Sequence, residues 1–155
     1  KEKLEVVDPA DQQKVLPHVF ELSMGIDRSL YTILEHSYYE EPAKDETRTV
    51  LKLRPYLAPV VVGILPLMTK DGLGEKARKI HSELKRDFDT FYDESGSIGR
   101  RYRRLEETGV PFAVTIDQTT MQDDTVTVRY RDSMQQVRVK IQELSKFLRD
   151  SLLIK

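Results

Sequence analysis

The pattern of apolar and polar positions predicts an abrupt change of structure near the start of the chain. Residues 18–26 alternate loosely between apolar and polar side chains, which predicts a mostly buried strand. The next apolar residues fall at helical spacing, with Asp27 placed to cap the helix N-terminus; they are Leu30, Ile33, Leu34 and Tyr38. The polar stretch 40–48 contains a proline and predicts a solvated loop, and 49–53 predicts a short strand.

Beyond the stiff, proline-containing connector at 54–59, the pattern alternates between strands and helices. Strands are predicted at 59–67, 88–92, 111–116, 125–131 and 135–141. Three helices are predicted from apolar stripes: Leu73, Ala77, Ile80 and Leu84; Ile98, Tyr102 and Leu105; and Leu144, Phe147, Leu148 and Leu152. The expected fold is therefore α/β, with a mixed five-stranded sheet flanked by helices, and the expected domains are 1–54 and 55–155.

Composition narrows the class of protein. The chain has 155 residues, of which 39% are hydrophobic and 33% charged, as is typical of an ordinary globular protein. It has no cysteine, which excludes disulfides, thiolate metal sites and a cysteine nucleophile, and fits a cytoplasmic location. No apolar run approaches the roughly 20 residues of a membrane span, so no membrane partner is expected. The N-terminus lacks Met and begins in mid-pattern, so we expect a piece of a longer protein.

Arginines supply the first candidate for binding chemistry. Arg100, Arg101, Arg103 and Arg104 lie away from the apolar stripe of their predicted helix and form a basic face near its N-terminus. The face follows a Ser/Gly-rich turn between a strand and a helix, where open α/β sheets place ligands. It is either a solvated helix face or a surface for RNA, which Arg129, Arg131 and Arg138 would extend. Net charge is only −1, so an anionic partner must be met by such local clusters.

Glu21 supplies the second candidate, because an unpaired carboxylate in a buried strand is costly. One interpretation is that it pairs with Arg28 or another basic residue for structural reasons. The other is that it receives an ammonium group, with Ser23 adding a hydrogen bond and Gly25 letting a planar ligand approach. The three histidines are scattered without metal-ligand spacing, and no metal site is predicted. Nucleophilic-hydrolase and P-loop motifs do not occur in the sequence.

Several blocks of the sequence resemble one family. "FELSMGIDRSLYTILEHSY" resembles the third signature motif of class II aminoacyl-tRNA synthetases, in which a strand enters a helix that opens with an arginine. "LAPVVVGILPL", "DESGSIGRRY", "TGVPFAVTID" and "VRYRDSMQQVRV" resemble the C-terminal anticodon-binding domain of archaeal and eukaryotic glycyl-tRNA synthetases. The likeness runs in order from about residue 15 to the end. Residues 1–54 are then expected to be the C-terminal strand-helix piece of the antiparallel catalytic domain.

The resemblance implies roles for individual residues. Glu21 matches the carboxylate that receives the α-ammonium of glycine, and Ser23 matches a hydroxyl that helps to fix the same substrate. Arg28 matches the arginine that packs on the adenine of ATP, with Gly25 beside it. The implied activity is glycine–tRNA ligation, in which glycine is activated with ATP and Mg²⁺ to glycyl-adenylate and transferred to tRNA(Gly) by a homodimeric protein.

The resemblance also implies an anticodon-facing surface. It is expected to include Ser97, Arg100, Arg101, Asp117, Arg129 and Arg131. Glycine anticodons share two cytosines, whose amine and carbonyl groups Asp and Arg side chains can read. "YDESGS" and "IDQTT" depart from the family pattern, which leaves the individual base contacts open.

The first two class II motifs are absent, so these 155 residues alone are expected not to catalyse aminoacylation. A synthetase for proline, threonine or histidine is a weaker match, because the Glu-x-Ser pair and "SIGRRY" argue against it. The alternative from another class is a non-catalytic nucleic-acid-binding module, like the accessory subunit of a mitochondrial DNA polymerase.

Overall fold

The computed structural model describes residues 4–43 and 46–152. The chain divides into two compact units, residues 1–31 and residues 32–155. Among the described residues, no helix is long and apolar enough to cross a membrane.

The first unit contains little regular structure. Strand β1 (Val6–Val7) pairs antiparallel with β2 (Lys14–Val15). The predicted strand at 18–26 is wrong, because residues 16–25 form no strand or helix. Val19, Phe20 and Leu22 are each at least 85% exposed. A strand needs a hydrogen-bonded neighbour, and no described residue supplies one along this stretch.

The predicted helix is confirmed as α1 (Ile26–Ser37), which begins in the first unit and ends in the second. Gly25 accepts the first helical hydrogen bond from the Ser29 amide, so the helix begins two residues earlier than predicted. Asp27 is therefore not the cap. It lies inside the first turn, where its negative charge still stabilises the positive end of the helix.

A hairpin opens the second unit where a loop was predicted. Strand β3 (Tyr38–Ala43) pairs antiparallel with β4 (Glu46–Leu51), and positions 44 and 45 of the predicted loop lie outside the described residues. The loop prediction is wrong. Arg48 of β4 is buried rather than solvated, because the carboxylates of Glu41 and Glu106 neutralise its charge. The hairpin packs on the sheet domain through helix α3 (Ile98–Glu107). The division at 54/55 stays a prediction about family domains.

A five-stranded mixed sheet fills the rest of the unit, as predicted. Its strand order is β6-β5-β7-β8-β9, with β5, β6 and β7 parallel and β8 and β9 antiparallel to their neighbours. In chain order the elements are β5 (Val62–Pro66), α2 (Leu73–Leu84), β6 (Thr90–Tyr92), α3, β7 (Phe112–Ile116), α4 (Gln118–Asp123), β8 (Thr125–Tyr130), β9 (Gln136–Lys140) and α5 (Ile141–Leu152).

The short helix α4 was not predicted, because six mostly polar residues give no apolar stripe. The local signal for it is a capping box. The Asp117 carboxylate accepts a hydrogen bond from the Thr120 amide, while the Thr120 hydroxyl accepts one from the Asp117 amide.

Helices cover the sheet unequally. The predicted stripe of α2 is fully buried, and together with α5 it packs on one face against Val62, Ile64 and Val114. On the other face, α3 packs through Leu105 against Leu65 and neighbouring residues. Strands β8 and β9 extend past α3 and leave a polar, partly exposed stretch of this second face.

Candidate nucleic-acid interface

The parallel strands β5, β6 and β7 end along one edge of the sheet, here called the carboxyl edge. The connection after β5 leads to β6 on one side, whereas the connection after β7 leads to β8 on the other. A crevice opens at such a divergence, and open α/β sheets bind ligands there. Met68 and Gln118 lie on the two sides of this crevice, and the Gln118 amide donates to the Met68 sulfur at 3.8 Å.

The N-terminus of α3 lies at this edge. Ser97 is the N-cap residue, but its side chain makes no capping hydrogen bond and is exposed. The first-turn amides therefore lack a side-chain acceptor, and the helix dipole makes their position favourable for an anion. Arg100 is exposed on the first turn, with no hydrogen bond or ion pair to any described residue. Its guanidinium is available to a ligand.

Arg101 corrects the predicted basic face, because its side chain is only 4% exposed. It donates to the carbonyls of Pro66 and Gly96, the latter at 3.0 Å, and so joins the end of β5 to the loop before α3. The periodicity of α3 does not indicate this contact, because the carbonyl acceptors lie outside the helix. The assignment of Arg101 to RNA stays a prediction.

Arg104 anchors the same edge from one turn later. Its Nε donates to Asp93 Oδ2 at 2.9 Å, and its guanidinium also donates to the Ser95 carbonyl. Burial acts to raise the pKa of the Asp93 carboxyl, but the Ser95 amide and Arg104 outweigh it and lower that pKa overall. The loop before α3 is thus fixed in position by charge pairing, and Arg104 has a structural role.

Asp117 lies at the end of β7 and is paired with Arg138. Arg138 donates to Asp117 Oδ2 at 2.6 Å and to the Thr127 hydroxyl at 3.0 Å. Burial acts to raise the pKa of Asp117, but the hydrogen bonds from Arg138 and the Thr120 amide lower it overall. Arg138 therefore joins the exposed face of β8 and β9 to the carboxyl edge. Strand alternation was the signal that could have placed Arg138 opposite Thr127.

Arg129 and Arg131 lie elsewhere. Arg129 donates to Glu106 at 3.0 Å and stacks on Tyr102 at 4.6 Å from the ring centroid. Arg131 follows β8, next to the start of β7, and donates to the carbonyl of Gly109 at 2.8 Å. The structure therefore brings Ser97, Arg100, Arg101 and Asp117 to the carboxyl edge but places Arg131 at the opposite end of the sheet.

The other predicted site lies in the first unit. Glu21, Ser23, Gly25 and Arg28 are all exposed, and the Ser23 hydroxyl donates to Glu21 Oε1 at 3.3 Å. Arg28 lies in the first turn of α1, as predicted for the helix-opening arginine. Residues 4–43 and 46–152 contain no group of three side chains that could hold a metal ion.

Comparisons with known proteins match this architecture. The family model described as "Anticodon binding domain" matches residues 61–151, which include the whole carboxyl edge. A glycine–tRNA ligase of Methanothrix thermoacetophila is 51% identical over 94% of this chain, and one of Caldanaerobacter subterraneus is 46% identical over 97% of it. The chain spans only 26% and 32% of those two relatives. On the strength of the family match, the chain belongs to the anticodon-binding domain family.

Proposed function

We propose that the complete protein is a glycine–tRNA ligase and that the second unit of this chain binds the anticodon of tRNA(Gly). The observation that carries the proposal is the family match over residues 61–151, with an exposed arginine at a helix N-terminus inside it. The relatives named glycine–tRNA ligase are similar to this chain over more than nine-tenths of its length. They favour this activity over a non-catalytic polymerase accessory subunit.

The carboxyl edge offers chemistry for both parts of a nucleotide. Arg100 and the first amides of α3 would neutralise a phosphate, and the Ser97 hydroxyl would add a hydrogen bond. The Asp117 carboxylate accepts a hydrogen bond from Thr120 through one oxygen and from Arg138 through the other. The Asp117–Arg138 pair therefore presents carboxylate acceptors next to guanidinium donors. A cytosine edge, with its amine donor and carbonyl acceptor, complements such a pair.

We infer that residues of the first unit belong to the site that activates glycine. Glu21 would receive the α-ammonium of glycine, Ser23 would support it, and Arg28 would pack on adenine, with Gly25 leaving space. The exposed apolar side chains beside Glu21 fit this role, because the longer relatives have chain available to cover them. Removal of water would strengthen the Glu21–ammonium pair.

ATP would supply the phosphorus that the glycine carboxylate attacks, with release of pyrophosphate, and Mg²⁺ would neutralise the phosphates. Arg28 lies in an exposed helical turn, and its guanidinium suits a nucleotide. The described residues offer no carboxylate cluster for Mg²⁺, so no residue is assigned to that ion. The proposed activity implies a homodimeric complete protein that works with the translation machinery in the cytoplasm.

Glycine-dependent ATP–pyrophosphate exchange by the complete protein tests the catalytic half of this proposal. We expect exchange with glycine and none with alanine, because packing around the α-carbon must exclude side chains. Glu21→Gln should reduce exchange roughly 10- to 100-fold, the value of one charge-assisted hydrogen bond. Glu35→Gln, at an exposed carboxylate of α1, is the matched control. Absence of exchange in the wild type would contradict the proposal.

A further inference from the structure

A cleft with basic lining residues lies away from the carboxyl edge and has no part in the proposed function. It has a volume of about 420 Å³ and lies between the last turns of α1, the hairpin and the turn Pro55–Leu57. Its lining residues are Thr32, Ile33, His36, Ser37, Tyr39, Lys52, Arg54 and Leu57. The volume falls in the range of small-ligand sites, roughly 300–1,000 Å³.

The lining carries three basic side chains, His36, Lys52 and Arg54, and no carboxylate. Glu41, outside the lining, already pairs with Lys52. Arg54 is exposed and makes no side-chain hydrogen bond or ion pair with the residues that the structure describes. One uncompensated guanidinium therefore faces a concave surface, which favours an anion.

The backbone under this guanidinium is held in place. Pro55 follows Arg54 and fixes an extended conformation for it, with φ −54° and ψ 137°. The Arg54 carbonyl accepts from the Leu57 amide at 2.8 Å, and the Lys52 amide donates to the Ser37 carbonyl at 2.6 Å, which ties α1 to β4. The fixed backbone therefore keeps the base of the Arg54 side chain at the cleft.

Two side chains with apolar surface, Tyr39 and Leu57, line the cleft together with Arg54. Tyr39 is 47% exposed and carries Lys52 over its ring at 4.9 Å, and Leu57 is 46% exposed. A sugar-phosphate segment matches this combination, because its phosphate meets the arginine while its ribose packs on apolar side chains.

The cleft is separated from the carboxyl edge by the length of strand β7. Leu53, between Lys52 and Arg54, accepts a hydrogen bond from Arg131 at 2.7 Å, and the Arg131 amide donates to the carbonyl of Pro111, just before β7. The cleft thus lies near the amino ends of the parallel strands. Five residues of β7 separate this end from the carboxyl edge, which is about 16 Å at 3.3 Å per residue. One nucleotide cannot reach both places.

We propose that this cleft binds a sugar-phosphate segment of the tRNA that lies outside the anticodon loop, with Arg54 as the phosphate contact. The proposal rests on the proposed function, because it adds a second contact to the same RNA. The cleft and the carboxyl edge belong to the same compact unit, and Arg131 joins the cleft wall to the sheet.

The test is the salt dependence of tRNA(Gly) binding by the complete protein. Loss of one phosphate contact should reduce the slope of log K against log salt by about 0.7–0.9. We expect this reduction for Arg54→Ala but not for Arg54→Lys, which keeps the charge. Arg86→Ala removes an exposed arginine without a side-chain partner among the described residues and should leave the slope unchanged. Each variant's urea midpoint should match the wild type, since both arginines are exposed.

A wild-type slope for Arg54→Ala would overturn the proposal. It would also be overturned if Arg54→Ala weakened binding of a single-stranded RNA that carries only the anticodon loop as much as that of whole tRNA, because the contact would then lie at the loop. Discrimination against tRNA with a replaced anticodon cytosine should not change in Arg54→Ala. If the wild type does not bind tRNA(Gly) at all, the proposed function fails, and this result is distinct from both others.

Discussion

Arg48 Nε lies 2.8 Å from Glu106 Oε2, and this buried ion pair joins the hairpin to helix α3 across 58 positions of sequence. Glu106 also accepts from Arg103 at 2.9 Å and from Arg129 at 3.0 Å, so one carboxylate serves three guanidinium groups. Arg48 is 1% exposed and Glu106 is 3% exposed. Charge pairing therefore helps to hold the polar hairpin against the sheet domain, together with Val50 of β4, which is completely buried.

Glu106→Gln should destabilise the protein more than Arg48→Met does. Removing the shared carboxylate leaves buried Arg48 with only Glu41 and takes an ion-pair partner from Arg103 and Arg129, so we expect a cost of up to about 3–5 kcal/mol. After Arg48→Met, Glu106 keeps Arg103 and Arg129, and we expect a smaller cost of about 1–3 kcal/mol. Urea unfolding with linear extrapolation measures both, and Arg86→Met, at an exposed position, should change the free energy of unfolding by less than about 0.5 kcal/mol. The opposite order would contradict the network.

Gly63→Ala tests the close packing of α3 on the sheet. A Cβ at this position would overlap both methyl groups of Leu105, so we expect a loss of roughly 1–3 kcal/mol. Gly99→Ala is the matched control within α3, since a Cβ there meets no atom within 4 Å. The control should be neutral or stabilising by up to about 1 kcal/mol, because alanine favours a helix. Equal unfolding midpoints for both variants would disprove the described packing.

Asp117→Asn should remove a pH-dependent part of the stability. The folded pKa of Asp117 is lowered below its ordinary value of about 3.9, so the stabilisation is complete above that value and is lost as pH falls through the folded pKa. Asparagine keeps the cap on α4 but not the charge pair with Arg138. We expect the wild type to be more stable by about 0.5–1 kcal/mol at pH 7, with the difference shrinking below pH 4. A difference that stays constant down to pH 2 would refute this assignment.

Much of the second unit could be predicted because local pattern and tertiary packing agree there. The stripe of α2, which includes Leu73 and Leu84, is buried as its spacing indicated. Alternation in β8 and β9 indicated strands covered on one face, and β8 places Val126 and Val128 in the core. In such elements the side chains that set the period are those that contact the sheet.

The wrong predictions share a physical cause: the structure of each segment depends on a contact with residues that are distant in sequence. Arg101 has the polarity of a solvated residue, but the carbonyl of Pro66, 35 residues earlier, accepts a hydrogen bond from its buried guanidinium. Arg48 lies in a polar stretch whose strand forms because Glu106 neutralises it. Residues 18–26 have the pattern of a strand but no pairing strand among the described residues. Periodicity indicates whether a side chain is expected to face the core or solvent, but it does not identify the residue that the side chain contacts.

The most direct test of the central claim compares the affinity of the protein for tRNA(Gly) with its affinity for the same tRNA in which one shared anticodon cytosine is replaced. If the carboxyl edge reads the anticodon, the replacement should cost about 1–3 kcal/mol, roughly 5- to 150-fold in dissociation constant. Arg100→Ala should weaken binding to both RNAs, because Arg100 is assigned to a phosphate. Equal wild-type affinity for the two RNAs would contradict anticodon recognition by this domain.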